Sequence, residues 1–245
     1  MLFELELLEF YYVNKNKTGT FMVILKIIKI KSIKLQIIFQ LIILMDTFEA
    51  INTRRAIKKF DNTYKMTSEQ VKSLMELVIL SPTSYNQQNW RFITVTNQTI
   101  KKQISEAARG QAQPSDGSLV IVLCGNLNAW NQDSLRYWKN STVDKQEHVK
   151  NALITKYADN PQNQRDEAIR SCGFAGQTIM LAAKQMGLDS CPMVGFEYDE
   201  LAKIINLPED HLIVLMIVVG KAAEPAGPRG GQLSLDEVVF ENKFK

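Results

Sequence analysis

The sequence is poor in the residues that build metal centres and disulfide frameworks. Among 245 residues it has three cysteines, Cys124, Cys172 and Cys191, and two histidines, His148 and His211. There is no CxxC pair, and an odd, sparse set of thiols argues against a disulfide scaffold and fits a reducing, cytoplasmic compartment. Because neither residue type clusters, no metal site is expected. His211 opens an apolar run and is expected at a strand end. An excess of charge of one sign is lacking too. The net charge is +3, and the lysines after residue 45 are spread among acids. The concentrated basic face of a nucleic-acid-binding protein is therefore missing. Both common phosphate-loop fingerprints, G-x-G-x-x-G after a strand and G-x-x-x-x-G-K-S/T, are absent. So is the G-x-S-x-G elbow of serine hydrolases.

Uninterrupted hydrophobic runs long enough to span a membrane are also absent. Residues 1–44 are rich in Ile, Leu, Phe, Lys and Asn, with one Gly and no Pro or Ala. Lys26, Lys29, Lys31 and Lys34 break the apolar stretch from Phe21 to Met45, and a central lysine costs about 2.5–3.5 kcal/mol on insertion. The remainder, Leu35 to Met45, is too short to cross a bilayer and contains Gln36 and Gln40. No small-residue cleavage site of a signal peptide follows. The segment can be a surface anchor, an extra packed element, or no part of the functional protein. The last is the expectation. Met45-Asp46-Thr47-Phe48-Glu49-Ala50-Ile51 reads as a natural opening, with a capping Asp or Thr before an amphipathic helix. The expected organisation is an atypical extension at 1–44 and one domain at 45–245.

From residue 46 the pattern alternates between helical and extended segments. Asp46 to Thr53 reads as a short helix running into Arg54-Arg55. Thr67-Ser68-Glu69-Gln70 has the T-x-x-Q form of a capping box. After it Val71, Leu74, Met75 and Val78 share one face of a helix reaching Leu80. Ser81-Pro82 stops that helix, since the residue before proline avoids helical geometry. Arg91 to Val95 alternates as a strand does. Leu119 to Leu123 and Leu212 to Val219 are continuous apolar runs of buried strands. Ile100 to Arg109 is a helix closed by Gly110, and Asp199 to Ile205 is a short one. Arg165 to Met186 is a long helix ended by Gly187. Its Gly173, Ala175, Gly176, Ala182 and Ala183 permit close packing against another helix, with ordinary core packing as the other reading. Cys191 to Phe196 is a short strand or loop. Residues 127–160 are polar and helical, with Trp130, Tyr137 and Trp138 as anchors. The carboxylate pairs Asp166-Glu167 and Glu197 with Asp199 lie where helix starts favour negative charge, so they are read as caps. Helices interspersed with a few buried strands, without repeats, indicate one α+β domain.

Two short runs stand out for their chemistry. Arg54-Arg55-Ala56-Ile57-Lys58-Lys59-Phe60-Asp61 sets cations beside a turn. Ser81-Pro82-Thr83-Ser84-Tyr85-Asn86-Gln87-Gln88-Asn89-Trp90 is a polar loop of small side chains closed by an aromatic ring. Together they suit a flat, polar-edged, phosphorylated cofactor. The first resembles the opening R-R/H-S-x-R/K-x-F pattern of the nitroreductase family, with Ala56 where that pattern has Ser. The second is similar to its S-P-S-x-x-N-x-Q-P-W pattern, with Asn89 in place of Pro. Cys191-Pro192-Met193-Val194-Gly195-Phe196 resembles the loop beside the reactive flavin edge, and Pro228-Arg229-Gly230 resembles a late phosphate-contacting turn. The matches follow the family's order from about residue 45 to the C-terminus.

The resemblance implies a nitroreductase-like α+β fold: a mixed, mostly antiparallel central sheet flanked by helices, in an intertwined homodimer. It also implies flavin mononucleotide (FMN) at the dimer interface. A flavin phosphate carries about two negative charges, and arginine offers it a planar fork of donors. Arg54 and Arg229 are the phosphate candidates, with Lys221 behind them. Arg55, Ala56 and Lys58 are placed along the ribityl chain and pyrimidine edge, where Ala56 can contribute only backbone. Gln111 lies where the family often has Asn, and its amide offers both donor and acceptor; a plain surface glutamine is the other reading. Pro82, Thr83, Ser84 and Asn86 are placed against the flavin from the second subunit, with Gln88 and Trp90 bracing the loop. Met193, Val194 and Gly195 bring backbone N–H groups to flavin N5 and O4, where a donor stabilises charge on the reduced ring. Cys191 is expected to be a small buried hydrophobe. The implied activity is hydride transfer from NADH or NADPH through flavin N5 to an electron-poor small molecule, a nitroaromatic, quinone or enone. Because the two half-reactions share one pocket, the kinetics are expected to be ping-pong. The pocket is placed in residues 127–160. A flavin-storage or sensing protein, or a membrane-associated protein acting through residues 1–44, are the alternatives.

Overall fold

Thr67 starts the first long helix by the reciprocal bonds its spacing suggests. Its hydroxyl accepts the Gln70 N–H at 3.2 Å, and the Gln70 side chain accepts the Thr67 N–H at 2.9 Å. The structure, a computed structural model, describes residues 47–244, so the expectations for residues 1–44 lie outside it. Helix α1 spans Thr47–Thr53 and α2 spans Ser68–Val78. Leu74 and Val78 are fully buried, with Val71 and Met75 packed beside them. Strand β1 follows at Trp90–Val95. Asn97 then caps α3, Gln98–Ala107, accepting the N–H groups of Thr99 and Ile100 at 2.9 and 3.1 Å. That cap starts α3 before the expected Ile100. At its other end Gly110 takes the left-handed φ of 74° that closes a helix without a Cβ penalty.

The remaining elements are a short α4 (Gln113–Asp116), β2 (Leu119–Asn126), α5 (Val143–Tyr157), α6 (Pro161–Gln185), β3 (Asp189–Met193), α7 (Tyr198–Ile204), β4 (His211–Gly220) and α8 (Leu235–Val238). Helix α6 begins earlier than the expected Arg165. The Asn160 side chain accepts the Asn163 N–H at 3.1 Å, and Pro161 occupies the first turn, where its missing N–H costs nothing. His211 is the first residue of β4, as expected.

The four strands form one antiparallel sheet in the order β1-β2-β4-β3. A single parallel bridge, Ala56 to Ser190, extends its β3 edge. β2 is buried along its whole length because both faces of the sheet are covered. Val120 and Val122 face one core with Ile104, Leu201 and Phe60. Ile121 and Leu123 face the other with Leu74, Ile179 and Ala183. This is the two-residue period of a strand dividing its side chains between two layers.

Of the small residues of α6, Ala175, Gly176 and Ala183 are buried, whereas Gly173 is exposed. A Cβ on Gly176 would stand 3.5 Å from Leu215 and Ile217, whereas one on Gly173 would meet nothing within 4 Å. The close approach read from sequence as helix on helix is thus, at Gly176, helix on strand.

One buried cation stands in this fold. Lys101 on α3 is fully buried and its ammonium donates to the Gly117 carbonyl at the end of α4. Burial, reinforced by the Lys65 charge and opposed by Asp116, holds its pKa below the ordinary lysine range. The folded protein therefore disfavours the charged form relative to the unfolded chain. Stability gains as pH rises from the lowered folded value towards the unfolded value, about 10.4, and this gain is absent well below that window. The thermal midpoint of wild type, relative to Lys101→Met, is expected to climb through the alkaline range. A difference that stays flat from about pH 8 to about pH 11 would refute this.

Candidate functional site

The chain leaves α1 along the edge of the sheet. The Arg54 N–H donates to Ala50 O at 2.9 Å, and three residues later the Ile57 N–H donates to Ser190 O at 3.0 Å. Further on, Asp61 N–H donates to Lys221 O at 2.9 Å and Ala223 N–H to Lys59 O at 3.0 Å. Residues 54–61 are thereby fastened to β3 and to the segment after β4. The Pro/Gly-rich turn then folds back on α1. One Arg229 guanidinium nitrogen donates to Asn52 O at 2.8 Å and to Arg54 O at 3.3 Å.

These connections form a cavity of about 430 Å³ lined by Arg54, Arg55, Ala56, Pro192 and the 226–232 turn with Arg229. Its charged lining residues are three arginines, with no carboxylate among them. A second hollow of about 190 Å³, with Lys58 and Lys59 on its wall, shares Ala56, Ala226 and Gly227 with the first. Three guanidinium groups without an acid to neutralise them are a donor set for a dianion such as a phosphate monoester. The phosphate of an FMN molecule would fit this set.

The end of β3 continues the site. Lys58 reaches within 3.9 Å of the Cys191 sulfur. Cys191 is fully buried, and burial raises its thiol pKa, with Lys58 offsetting only part of the effect. The thiol stays protonated and serves as packing, as expected. Met193 is buried, whereas Val194 beyond it is 64% exposed. The Gln111 side-chain nitrogen donates to Gly195 O at 2.8 Å and to Ala108 O at 3.0 Å. Its donor side is thus committed to backbone, leaving the amide oxygen for a ligand. Arg54, Arg55, Ala56, Lys58, Gln111, Met193, Val194, Gly195 and Arg229 therefore gather at the β3 end and the late turn.

Pro82, Thr83, Ser84 and Asn86 lie elsewhere. Their loop contains three non-glycine residues in the left-handed region, Tyr85 at φ 51°, Asn86 at 52° and Gln88 at 46°. Asn accepts that geometry more readily than Tyr or Gln. Specific bonds hold it. Thr83 Oγ1 accepts the Gln88 N–H at 3.0 Å, the Trp138 indole donates to Tyr85 O at 2.9 Å, and the Asn86 amide donates to Tyr137 O at 3.2 Å. Gln88 braces Asn86 at 3.3 Å, and Trp90 stacks on Phe92 in the core. Trp130 and Trp138 anchor the 127–160 region on Val149, Leu153 and Tyr157.

The loop also bonds Glu167. The Ser84 N–H donates to Glu167 Oε1 at 2.9 Å, the Ser171 hydroxyl donates to the same oxygen at 2.9 Å, and Arg170 pairs with Oε2. Glu167 is 2% exposed. The sequence reading of Asp166-Glu167 as caps is therefore corrected for Glu167. With α6 starting at Pro161, this carboxylate lies past the first turn and points into the protein. The signal that could have found it is the helical spacing of Arg170 and Ser171, one turn on from a glutamate beside the apolar Ala168 and Cys172. Glu197 likewise is not a side-chain cap; it pairs with Arg109 at 2.9 Å.

The 81–90 loop runs along helix α6, from Thr178, which Ser81 bonds at 3.0 Å, to Glu167. Glu167 touches the loop, while the Arg54 guanidinium lies 3.9 Å from the Met180 sulfur. At 1.5 Å per residue these points are about 20 Å apart along the helix. Among the described residues no group of three or more His, Cys, Asp or Glu could hold a metal ion, and no helix is long and apolar enough to cross a membrane.

Comparison with known proteins gives the family and the fold. The model of the Nitroreductase family matches residues 51–221. Protein DrgA of Synechocystis sp. is 43% identical over 182 residues, covering 74% of this chain and 87% of that protein. An oxygen-insensitive NADPH nitroreductase of Helicobacter pylori is 28% identical over 205 residues, covering 78% and 95%. A solved structure from Exiguobacterium sibiricum, determined in complex with FMN, superposes with a TM-score of 0.73 at 24% identity, covering 80% of this chain and 97% of that one.

Proposed function

The chain belongs to the nitroreductase family, and on that premise we propose that it is an FMN-dependent oxidoreductase drawing on NADH or NADPH. The observation that carries the reading is the acid-free cavity of Arg54, Arg55 and Arg229 joined to the end of β3. When bound there, the flavin supplies hydride acceptance and donation between the nicotinamide and an electron-poor acceptor. The chain's own residues do the rest. Arg54 and Arg229 neutralise the phosphate, with Arg55 at its flank. Lys58 and the Ala56 backbone line the polar chain. The Gln111 oxygen faces the pyrimidine edge as an acceptor. Backbone N–H groups of Val194 and Gly195 would supply donors to the reduced ring of a bound flavin, with the buried Met193 beside them.

Pro82, Thr83, Ser84 and Asn86 complete the site from a second copy. Ser84, held on Glu167, lies about 20 Å along α6 from the Arg54 contact at Met180, while Ser81 at the start of the loop bonds Thr178 at 3.0 Å. Phe48, Leu80, Phe174, Leu235 and Phe244 are exposed and available to such an interface. Residues 127–160 flank this loop and shape the acceptor pocket. The proposal assigns the activity to residues 45–245, and three free, buried thiols fit a reducing cytoplasmic setting.

The test is a visible spectrum of purified protein followed by anaerobic titration with each nicotinamide. Bound flavin that bleaches with NADH or NADPH, and parallel double-reciprocal lines in steady state, are expected. Colourless protein that takes up no FMN sinks the proposal. Bound flavin that neither nicotinamide bleaches would assign a storage or sensing role instead.

A further inference from the structure

Glu167 lies about 20 Å along α6 from the part of that helix that meets Arg54, and it is a buried carboxylate that holds the middle of the 81–90 loop, whose ends are held by Thr178 and Asn126. Building on the flavin reading above, we infer that Glu167 is a positioning residue for the flavin, setting the Pro82–Asn86 loop through the Ser84 N–H and acting on the cofactor whose phosphate a second copy holds.

The carboxylate is itself immobilised. Arg170 engages Oε2, and Ser171, one turn along α6, donates to Oε1 at 2.9 Å. Both bonds come from α6, so the remaining bond, from Ser84 N–H at 2.9 Å, ties the loop to a rigid helix. The loop needs such a tie. Left-handed φ values at Tyr85, Asn86 and Gln88 are costly for a free chain and persist only where surroundings enforce them. The tethers from Trp138 and Asn86 are exposed bonds between uncharged groups. The Glu167 bond is charge-assisted, at a carboxylate shielded from water, and is therefore the stronger one. It uses the Ser84 backbone and not its hydroxyl, so that hydroxyl is not needed to hold the loop.

The experiment titrates apoprotein with FMN and with riboflavin, following quenching of flavin fluorescence. Glu167→Ala is expected to weaken both ligands by about tenfold or more and by the same factor, since the loop meets the ring and not the phosphate. Glu167→Gln should stay within about threefold of wild type, because its amide oxygen still accepts the Ser84 N–H. Glu167→Asp, retracted by one methylene, should fall between, and decides the matter if the alanine variant does not fold.

The intersubunit element is read from dimers co-expressed with one Glu167→Ala chain and one Arg229→Ala chain. One site then has both mutations and the other neither, so one tightly held flavin per dimer is expected. Alanine-variant binding equal to wild type, equal losses in the alanine and glutamine variants, or no tight site in the mixed dimer would each overturn the inference while leaving the flavin reading intact. Wild-type protein that takes up no flavin overturns both.

Discussion

Arg229→Ala is expected to weaken FMN binding by about 10- to 100-fold, the equivalent of losing one charged hydrogen bond of about 1.5–3 kcal/mol. The guanidinium has two roles in the proposed site. Two of its contacts, to Asn52 O and Arg54 O, hold the late turn against the end of α1 and so set the spacing of the three arginines. Its remaining donors are left for the phosphate. Titration with riboflavin, which lacks the phosphate, separates these roles. An effect confined to FMN assigns Arg229 to the phosphate. Equal loss for both ligands would show that it acts by holding the turn alone, and unchanged FMN affinity would remove it from the site. Arg229→Lys is expected to recover only part of the binding, because a point charge cannot reproduce the planar fork.

Gly125→Ala is expected to give the largest loss of stability among single substitutions at this site. Gly125 sits on β2 opposite Trp90 on one side and Leu212 on the other. A Cβ there would stand 2.5 Å from the Ala168 Cβ and 3.2 Å from its Cα. Neither contact is the end of a flexible side chain, so the strand and α6 must separate. Overpacking costs typically 1–3 kcal/mol, and contact with a helix backbone places this case near about 3 kcal/mol. At about 2–4 °C per kcal/mol for a domain of this size, the thermal midpoint should fall by about 6–12 °C. Ala168 adjoins Glu167, so separation also draws the carboxylate off the Ser84 N–H, and flavin affinity should fall with the melting temperature. A thermal shift below about 2 °C would mean that the β2–α6 contact yields without loss.

The cysteines need no part in this chemistry. Cys124 and Cys172 have their pKa raised to about 12, by burial in each case and for Cys172 also by the neighbouring Cys124. Both stay protonated over the physiological range, as does Cys191, so thiolate nucleophiles are not on offer and polar contacts to a bound group carry the site.

Elements whose signals are local were legible in the chain. The Thr67 capping box, the Ser81-Pro82 stop, the closing glycines 110 and 187, and the apolar runs of β2 and β4 each depend on residues within a few positions of one another. The Arg54–Lys58 run, the Ser81–Trp90 loop, Met193–Gly195 and Arg229 were found as four ordered motifs for the same reason. Sequence misplaced what long-range packing decides. Helix α6 starts at Pro161 because the adjacent Asn160 caps it, which is a local signal; packing across the domain decides that Glu167 is buried against the 81–90 loop. Gly176 packs on β4 and not on another helix.

The chain by itself determined which groups are available: cations beside a turn, a loop of small polar residues, and two histidines and three thiols that do not cluster in sequence. Only the tertiary structure decided how that chemistry is divided. It placed three arginines in one cavity by bending the late turn onto α1, turned the Gln111 nitrogen onto Gly195, and tied Ser84 to Glu167, about 20 Å along α6 from Met180. Such distances follow from how strands and helices pack across the whole domain, and no run of neighbouring residues records them.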